Sequence, residues 1–389
     1  MSSNSGGVKG GKGLFRAILF DVDGVLLSEE RYFDASALTV WELVSSPLYL
    51  GKDMEPFFRP NPDETIIRRM RREVFDNDNV LNFIKKRGIN ANWDMVYLAF
   101  SYQLIRFLEA ALPRYRSQVA DMLSRPLTAD TLDVFRTWDV DFQPRWAEFV
   151  SDFARGTAEK QALLLDLNRI AQERLGLACD VFSRHSPLWD LCQETFQEWY
   201  LGEEKYRQST GQSPRQTGKR GFLHDEIPIV PPEEMRRFFA RLREMGIELG
   251  IGTGRPTVET MEPLAALGIL DYFSQDRIIT ASDVLETERR FPERAPLAKP
   301  QPYTYVKSLL GKNTPDEDVF AVPLPLETGA DVLIVGDSVA DLMAARSMGC
   351  RFCATLTGLS GAAARASFEK LGADYIVDDV LQVVNLLEK

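Results

Sequence analysis

From about residue 225 to its end, the chain alternates short apolar runs with stretches of helical period, and this alternation narrows the fold more than any other feature. "PPEEMRRFFARLREMG" reads as a helix, with prolines at its start, acids in its first turn and Gly246 at its end. "IELGIGT" reads as a strand and "PTVETMEPLAALG" as a helix. "PQPYTYVKSLLG" gives another helix, "ADVLIVGD" a strand, "SVADLMAARSMG" a helix and "RFCATLT" a strand. A helix over residues 360–371, the strand "DYIVDD" and a last short helix complete the pattern. Strands that are apolar throughout are buried on both faces, so the expectation is a parallel sheet covered by helices on each side. The fold class is therefore α/β, a Rossmann-like sheet.

One strand of that sheet stands far from the others. "FRAILF", residues 15–20, has the same texture as the later strands, yet nearly 200 residues separate it from them. The intervening stretch has helical periodicity and few β-branched runs, as in "ANWDMVYLAFSYQLIRFLEAAL" and "KQALLLDLNRIAQERLG". It reads as an inserted all-helical domain. The expected division is an α/β core from residues 14–30 and 225–389, a helical domain over 31–224, and a disordered tail over 1–13. A chain of 389 residues with 44% apolar content can supply two cores.

The totals exclude some functions. A net charge of −11 provides no basic excess for releasing counterions from a polyanion, which argues against a general nucleic-acid or anionic-membrane binder. "MSSNSGGVKGGKG" has no apolar core of a signal sequence, and no long uncharged apolar run stands out elsewhere, so a cytoplasmic protein without a membrane partner is expected. Four cysteines do not make a disulfide framework. Cys350 and Cys353 form a CxxC, but within a strand-like run, and read as buried packing.

In open α/β sheets ligands sit beyond the carboxyl ends of the strands. There the first strand ends at Asp21, with Asp23 two residues on; "IELGIGT" ends at Thr253; "ADVLIVGD" ends at Asp337. Lys299 precedes the helix of "PQPYTYVKSLLG". Three strand ends and a helix start thus bring Asp, Thr, Asp and Lys to one rim. Two carboxylates as close as Asp21 and Asp23 are unfavourable unless a cation or proton lies between them. Asp21 and Asp337 offer hard oxygen ligands suited to Mg²⁺, and Lys299 a fixed positive charge. Asp341, one helical turn beyond Asp337, can reach a metal-bound water or brace Lys299.

"FDVDG", "GIGTGR", "AKPQP" and "GDSVADL", in this order, resemble the four motifs of the haloacid dehalogenase superfamily of phosphotransferases. The resemblance covers the α/β part, and by position the helical block would be the mobile cap inserted between the first and second motifs. It implies a Mg²⁺-dependent phosphatase acting on a small phosphorylated metabolite. Asp21 would be the nucleophile that forms an aspartyl phosphate, and the Asp23 backbone carbonyl would complete a metal site with Asp21, Asp337 and Asp341. The Asp23 side chain would protonate the leaving oxygen and then activate water. Thr253, Gly254, Arg255 and Lys299 would meet the phosphoryl group. Gly254 and Arg255 depart from the small polar residue common at that place in the family. A phosphomutase of the same family and a catalytically silent binding protein on the same fold are the alternatives.

Other signals carry less. "GGVKGGKG" lacks the preceding strand and the Ser or Thr of a phosphate-binding loop. Gly250, Gly252 and Gly254 do not have dinucleotide-fingerprint spacing. "RRMRRE", residues 68–73, reads as a solvated helix face, and Trp93, Tyr97, Phe100 and Phe107 as core at helical spacing. "STGQSPRQTGKRGF" reads as a linker or mobile loop, from which Lys219 and Arg220 are expected to fold over a substrate.

Overall fold

A computed structural model describes residues 15–89 and 91–387, so the tail expected to be disordered lies outside the described residues. The chain forms two compact units, Met1–Glu29 with Glu226–Lys389, and Glu30–Asp225.

The first unit is built on six parallel strands: β1 (Ala17–Phe20), β2 (Glu248–Gly252), β3 (Ile278–Ile279), β4 (Val332–Gly336), β5 (Arg351–Thr355) and β6 (Tyr375–Val377). Their order is β3-β2-β1-β4-β5-β6. The chain winds outward from β1 in one direction and then returns to wind in the other. The order therefore reverses beside β1, where the crevice of such sheets lies. Alternate residues of the strands serve two cores. Ile18, Phe20, Leu249, Ile251, Leu333 and Val335 pack with Met235, Phe239 and Leu242 of helix Pro232–Glu244. Ala17, Leu19, Val332, Ile334 and Phe352 pack with Tyr305, Leu309 and Met348 of helices Tyr303–Leu310 and Val339–Met348. The period of two along each strand thus feeds both layers.

Several elements were not anticipated. β3 has only two residues, too few to show a period. The helix Asp316–Phe320 is another, and so is the helix Ala281–Arg290. Its start is fixed by a capping box in which the Asp283 carboxylate accepts from the Thr280 backbone N–H at 2.8 Å.

The second unit is helical, with Glu30–Ser45, Glu64–Val74, Asn92–Met122, Ala162–Leu175 and Pro187–Thr210 as its longer helices. Asn92–Met122 is long and apolar enough to cross a bilayer by length and composition, and most of its apolar window is buried inside the structure. Tyr97, Phe100 and Phe107 are core residues, and Trp93 stacks edge-on against Trp189. Arg68 and Arg71 pair with Glu30, Asp34 and Asp78.

Lys219 corrects an expectation. It does not lie in a free loop but is buried, with Nζ 2.7 Å from Glu42 Oε2 and 2.6 Å from Glu198 Oε2. The segment carrying it docks on helix Pro187–Thr210 where that helix breaks at Gly202, whose φ is 77°. A Cβ at Gly202 would sit 2.6 Å from the Arg220 carbonyl oxygen, so a side chain there would push the segment away. Glu203 N–H donates to the Lys219 carbonyl and Phe222 N–H to that of Tyr200, which closes the contact.

Candidate active site

β1 lies between β2 and β4 with Phe20 level with Ile251 on one side and Val335 on the other. Asp21 therefore emerges at the centre of the rim, flanked by Thr253 after β2 and Asp337 after β4. Its backbone N–H donates to the Val335 carbonyl at 2.9 Å, which holds the residue in line with the sheet. Beyond it the chain turns sharply. The N–H groups of Leu26 and Leu27 donate back to the Val22 carbonyl at 2.9 and 3.0 Å, and Gly24 N–H donates to the Leu27 carbonyl at 2.8 Å.

Lys299 binds the rim together. Its Nζ lies 2.8 Å from Asp21 Oδ2 and 2.8 Å from Asp341 Oδ1, and it donates to the Gly252 carbonyl at 3.3 Å. The other Asp21 oxygen accepts from Val22 N–H at 2.7 Å. Asp341 is fully buried and also accepts from the Tyr305 hydroxyl at 2.7 Å and the Ser338 hydroxyl at 2.6 Å. Ser338 is the N-cap of helix Val339–Met348 and forms a capping box with Asp341. Ser338 therefore ties Asp341 to the start of that helix.

Burial pushes the Asp21 carboxyl up to about 7; Lys299 pulls it down, and Asp341 and Asp23 push it further up. Burial alone would also raise Asp341, but Lys299, Ser338 and Tyr305 outweigh it and hold that carboxyl below its usual range. For Lys299, desolvation disfavours the ammonium, and Asp21 with Asp341 more than offset it, so it stays charged. The rim therefore holds one firm cation, one firm carboxylate and a central carboxyl short of positive charge.

That shortage is what a divalent cation would supply. Among the described residues, Asp21, Asp337 and Asp341 each offer a carboxylate oxygen, and these oxygens lie within 4.8 Å of one another. Asp337 is hemmed in by two residues without side chains: a Cβ at Gly24 would fall 2.2 Å from its Oδ2, and one at Gly358 2.0 Å from the same atom. The carboxylate occupies space that only glycine leaves open. An oxygen-only donor set of this kind fits Mg²⁺.

Asp23 faces another partner. Arg255 donates from Nε to Asp23 Oδ1 at 2.8 Å, and its Nη2 lies 2.6 Å from the same oxygen. Arg255 is 1% exposed, and its Nη1 contacts Glu226 Oε1 at 2.7 Å and the Glu259 carbonyl at 3.3 Å. Its guanidinium is turned inward and held by its own chain, a placement that does not support the expected contact with substrate. Thr253 is buried, and its hydroxyl accepts from Arg255 N–H at 3.2 Å. Gly254 is exposed at the rim, and a Cβ there would meet nothing within 4 Å.

Sequence reasoning missed Tyr305, Ser338, Gly358, Glu226 and the turn of Arg255. Of these only Ser338 carried a local signal, the S-x-x-D spacing of a capping box in "SVAD". Cys350 and Cys353 are buried, and burial pushes both thiols up to about 12, as expected for packing residues.

Comparison with known proteins places the chain. The model of the haloacid dehalogenase-like hydrolases matches residues 15–349. A phosphoglycolate phosphatase of Neisseria meningitidis is 25% identical over 169 residues, 43% of this chain and 61% of that protein. One from Pectobacterium atrosepticum is 34% identical over 118 residues, 30% of this chain and 39% of its own length. The chain thus spans less than two thirds of the curated relatives it matches. An X-ray structure of a Northeast Structural Genomics Consortium target is 36% identical, covers 96% of this chain and 98% of its own, and superposes with a TM-score of 0.81.

Proposed function

The chain belongs to the haloacid dehalogenase-like hydrolase family, and from that premise we propose that it is a Mg²⁺-dependent phosphatase working through an aspartyl phosphate on Asp21. The observation that carries the reading is Lys299 clamped at 2.8 Å to both Asp21 and Asp341 at the centre of the rim. A phosphate monoester dianion repels an attacking carboxylate by about 8 kcal/mol at 4 Å and an effective dielectric near 20, about 4 kcal/mol for each of its two charges. Mg²⁺ held by Asp21, Asp337, Asp341 and the Asp23 carbonyl would offset that repulsion and polarise the phosphoryl oxygens.

The chain's own residues do the rest. Lys299 fixes Asp21 in orientation and adds positive charge beside the arriving phosphoryl group, while Thr253 and the exposed backbone at Gly254 receive its oxygens. A carboxylate oxygen of Asp21 attacks phosphorus, and the bond to the leaving oxygen breaks as Asp23 donates a proton to it. Asp23 then takes a proton from water as the hydroxyl bonds to phosphorus, the Asp21–phosphorus bond breaks, and phosphate departs. The helical unit, inserted between the first and second motifs, is assigned substrate selection as the cap.

The activity of the curated relatives puts phosphoglycolate, a small phosphorylated carboxylic acid, first in the substrate panel. Four buried free cysteines suit a reducing, cytoplasmic setting. The test is Mg²⁺-dependent release of inorganic phosphate from an aryl phosphate and then from a panel of phosphorylated metabolites, with Asp21→Asn as control. Hydroxylamine trapping of an acyl phosphate on the wild type should accompany turnover. Phosphate release no greater than that of Asp21→Asn overturns the reading, and an isomerised product without free phosphate would replace it by a mutase.

A further inference from the structure

Arg255 is among the largest fully buried side chains of the molecule, and the reaction described above gives it no task. We propose that Arg255, anchored by Glu226, is a positioning residue that fixes the Asp23 carboxylate so that Oδ2 alone handles the transferred proton. The inference rests on the phosphatase reading.

The geometry supports it in three ways. First, both contacts from Arg255 fall on the same oxygen, Nε at 2.8 Å and Nη2 at 2.6 Å from Asp23 Oδ1. An oxygen that already accepts from the Nε–H of a guanidinium and has its Nη2 at ion-pair distance is a poor seat for a proton, because donor would meet donor; Oδ2 is the oxygen left for the leaving group and the water. Second, the Asp23 side chain is 24% exposed, whereas those of Arg255 and Glu226 are 1% and 4% exposed. A partly exposed aspartate samples rotamers on the picosecond-to-nanosecond scale unless something rigid holds it. A buried guanidinium with fixed fork geometry is such a hold.

Third, the anchor is itself fixed to the loop that carries Asp23. Ser28 N–H donates to the Ile227 carbonyl at 2.8 Å and Ile229 N–H to the Leu26 carbonyl at 3.0 Å, so the segment beginning at Glu226 runs bonded alongside residues 26–28. Glu226, Arg255 and Asp23 close a ring through three chain segments. Glu226 also balances charge, setting a buried carboxylate 2.7 Å from the buried guanidinium. The proton balance is unchanged from the reaction above, since Oδ2 gives its proton to the leaving oxygen and regains one from the attacking water.

The experiment compares first-turnover and steady-state kinetics of the full chain with 2,4-dinitrophenyl phosphate, whose leaving group needs no proton, and with an alkyl phosphate, whose leaving group does. The double variant Arg255→Met/Glu226→Gln removes both buried charges together; Arg255→Lys returns one cation without the fork. With the double variant, first-turnover release of dinitrophenolate should stay within about threefold of wild type, while steady-state kcat on both substrates falls about 10²-fold and KM for 2,4-dinitrophenyl phosphate falls in step with it, because kcat/KM reports the first, unchanged step. Phosphoenzyme trapped by hydroxylamine should accumulate, and Arg255→Lys should restore part of kcat. First-turnover release lost in proportion to kcat would make Arg255 a merely structural tie and overturn the proposal, as would unchanged turnover. A wild type with neither release nor turnover would instead sink the phosphatase reading.

Discussion

Glu42→Gln offers a direct check on how charge is stored in the helical unit. Glu42, Glu198 and Lys219 are all buried, two carboxylates around one ammonium, and Trp199 Nε1 also donates to Glu42 Oε2 at 2.6 Å. Fully ionised, the cluster would carry an excess negative charge in a medium that solvates it poorly. Burial accordingly pushes Glu42 up to about 7 from its ordinary 4.5, with Lys219 pulling down and Glu198 adding to the rise. A shift of that size, at about 1.36 kcal/mol per pH unit, corresponds to ~3 kcal/mol. The group is fully buried, so solvent screening does not reduce it.

The sign follows from proton binding. Between pH 4.5 and about 7 the unfolded chain has lost the Glu42 proton and the folded chain keeps it, so this group's contribution to stability falls as pH rises through that window. Below 4.5 it is fully present. Glutamine cannot titrate, so the difference in unfolding free energy between Glu42→Gln and wild type should grow in the variant's favour by ~3 kcal/mol from pH 4.5 to 7.5. All six tryptophans, Trp41, Trp93, Trp138, Trp146, Trp189 and Trp199, lie in the helical unit, so urea unfolding followed by their fluorescence reports that unit. A difference that stays flat across this range would refute the argument, because it would mean that the buried cluster holds no extra proton.

Lys219→Met should destabilise the same unit by about 3–5 kcal/mol at pH 8, where Glu42 is also ionised, since it leaves the buried Glu42 and Glu198 without their cation; urea titration checks it, and a loss under 1 kcal/mol would contradict the buried pairing. Gly358→Ala places a methyl 2.0 Å from Asp337 Oδ2, so Mg²⁺ affinity measured by calorimetry should fall at least about tenfold with the fold intact by circular dichroism. Tyr305→Phe removes the hydroxyl that donates to Asp341 and leaves a buried acceptor short of one bond; a loss of about 1–2 kcal/mol in urea unfolding is expected. Chelation should abolish phosphate release and Mg²⁺ restore it; full activity in excess chelator would remove the metal from the proposed reaction.

What the sequence made legible, and what it hid, divides along the range over which residues act. The doubly wound sheet could be read because each strand's burial is written in its own residues: "AILF" and "VLIVG" are apolar throughout, and a polar residue follows where each meets the rim. The rim residues Asp21, Thr253, Lys299 and Asp337 could be listed for the same reason, since each is fixed by the end of an element. Arg255 could not be placed this way. It sits beside Thr253 in sequence, so it reads as a rim cation, yet Glu226 and Asp23 belong to other segments and turn it inward. Lys219 follows the same logic. Gly, Ser and Pro around it announce a loop, and the loop exists, but a pair of glutamates on two helices draws its ammonium into the core. Composition reports how a segment treats water on average; a single long cationic side chain obeys the carboxylates it can reach. Hence the two cations that sequence misplaced, Arg255 and Lys219, are charged groups whose partners lie far along the chain, and the positioning test and the Lys219 stability test above depend on those partners.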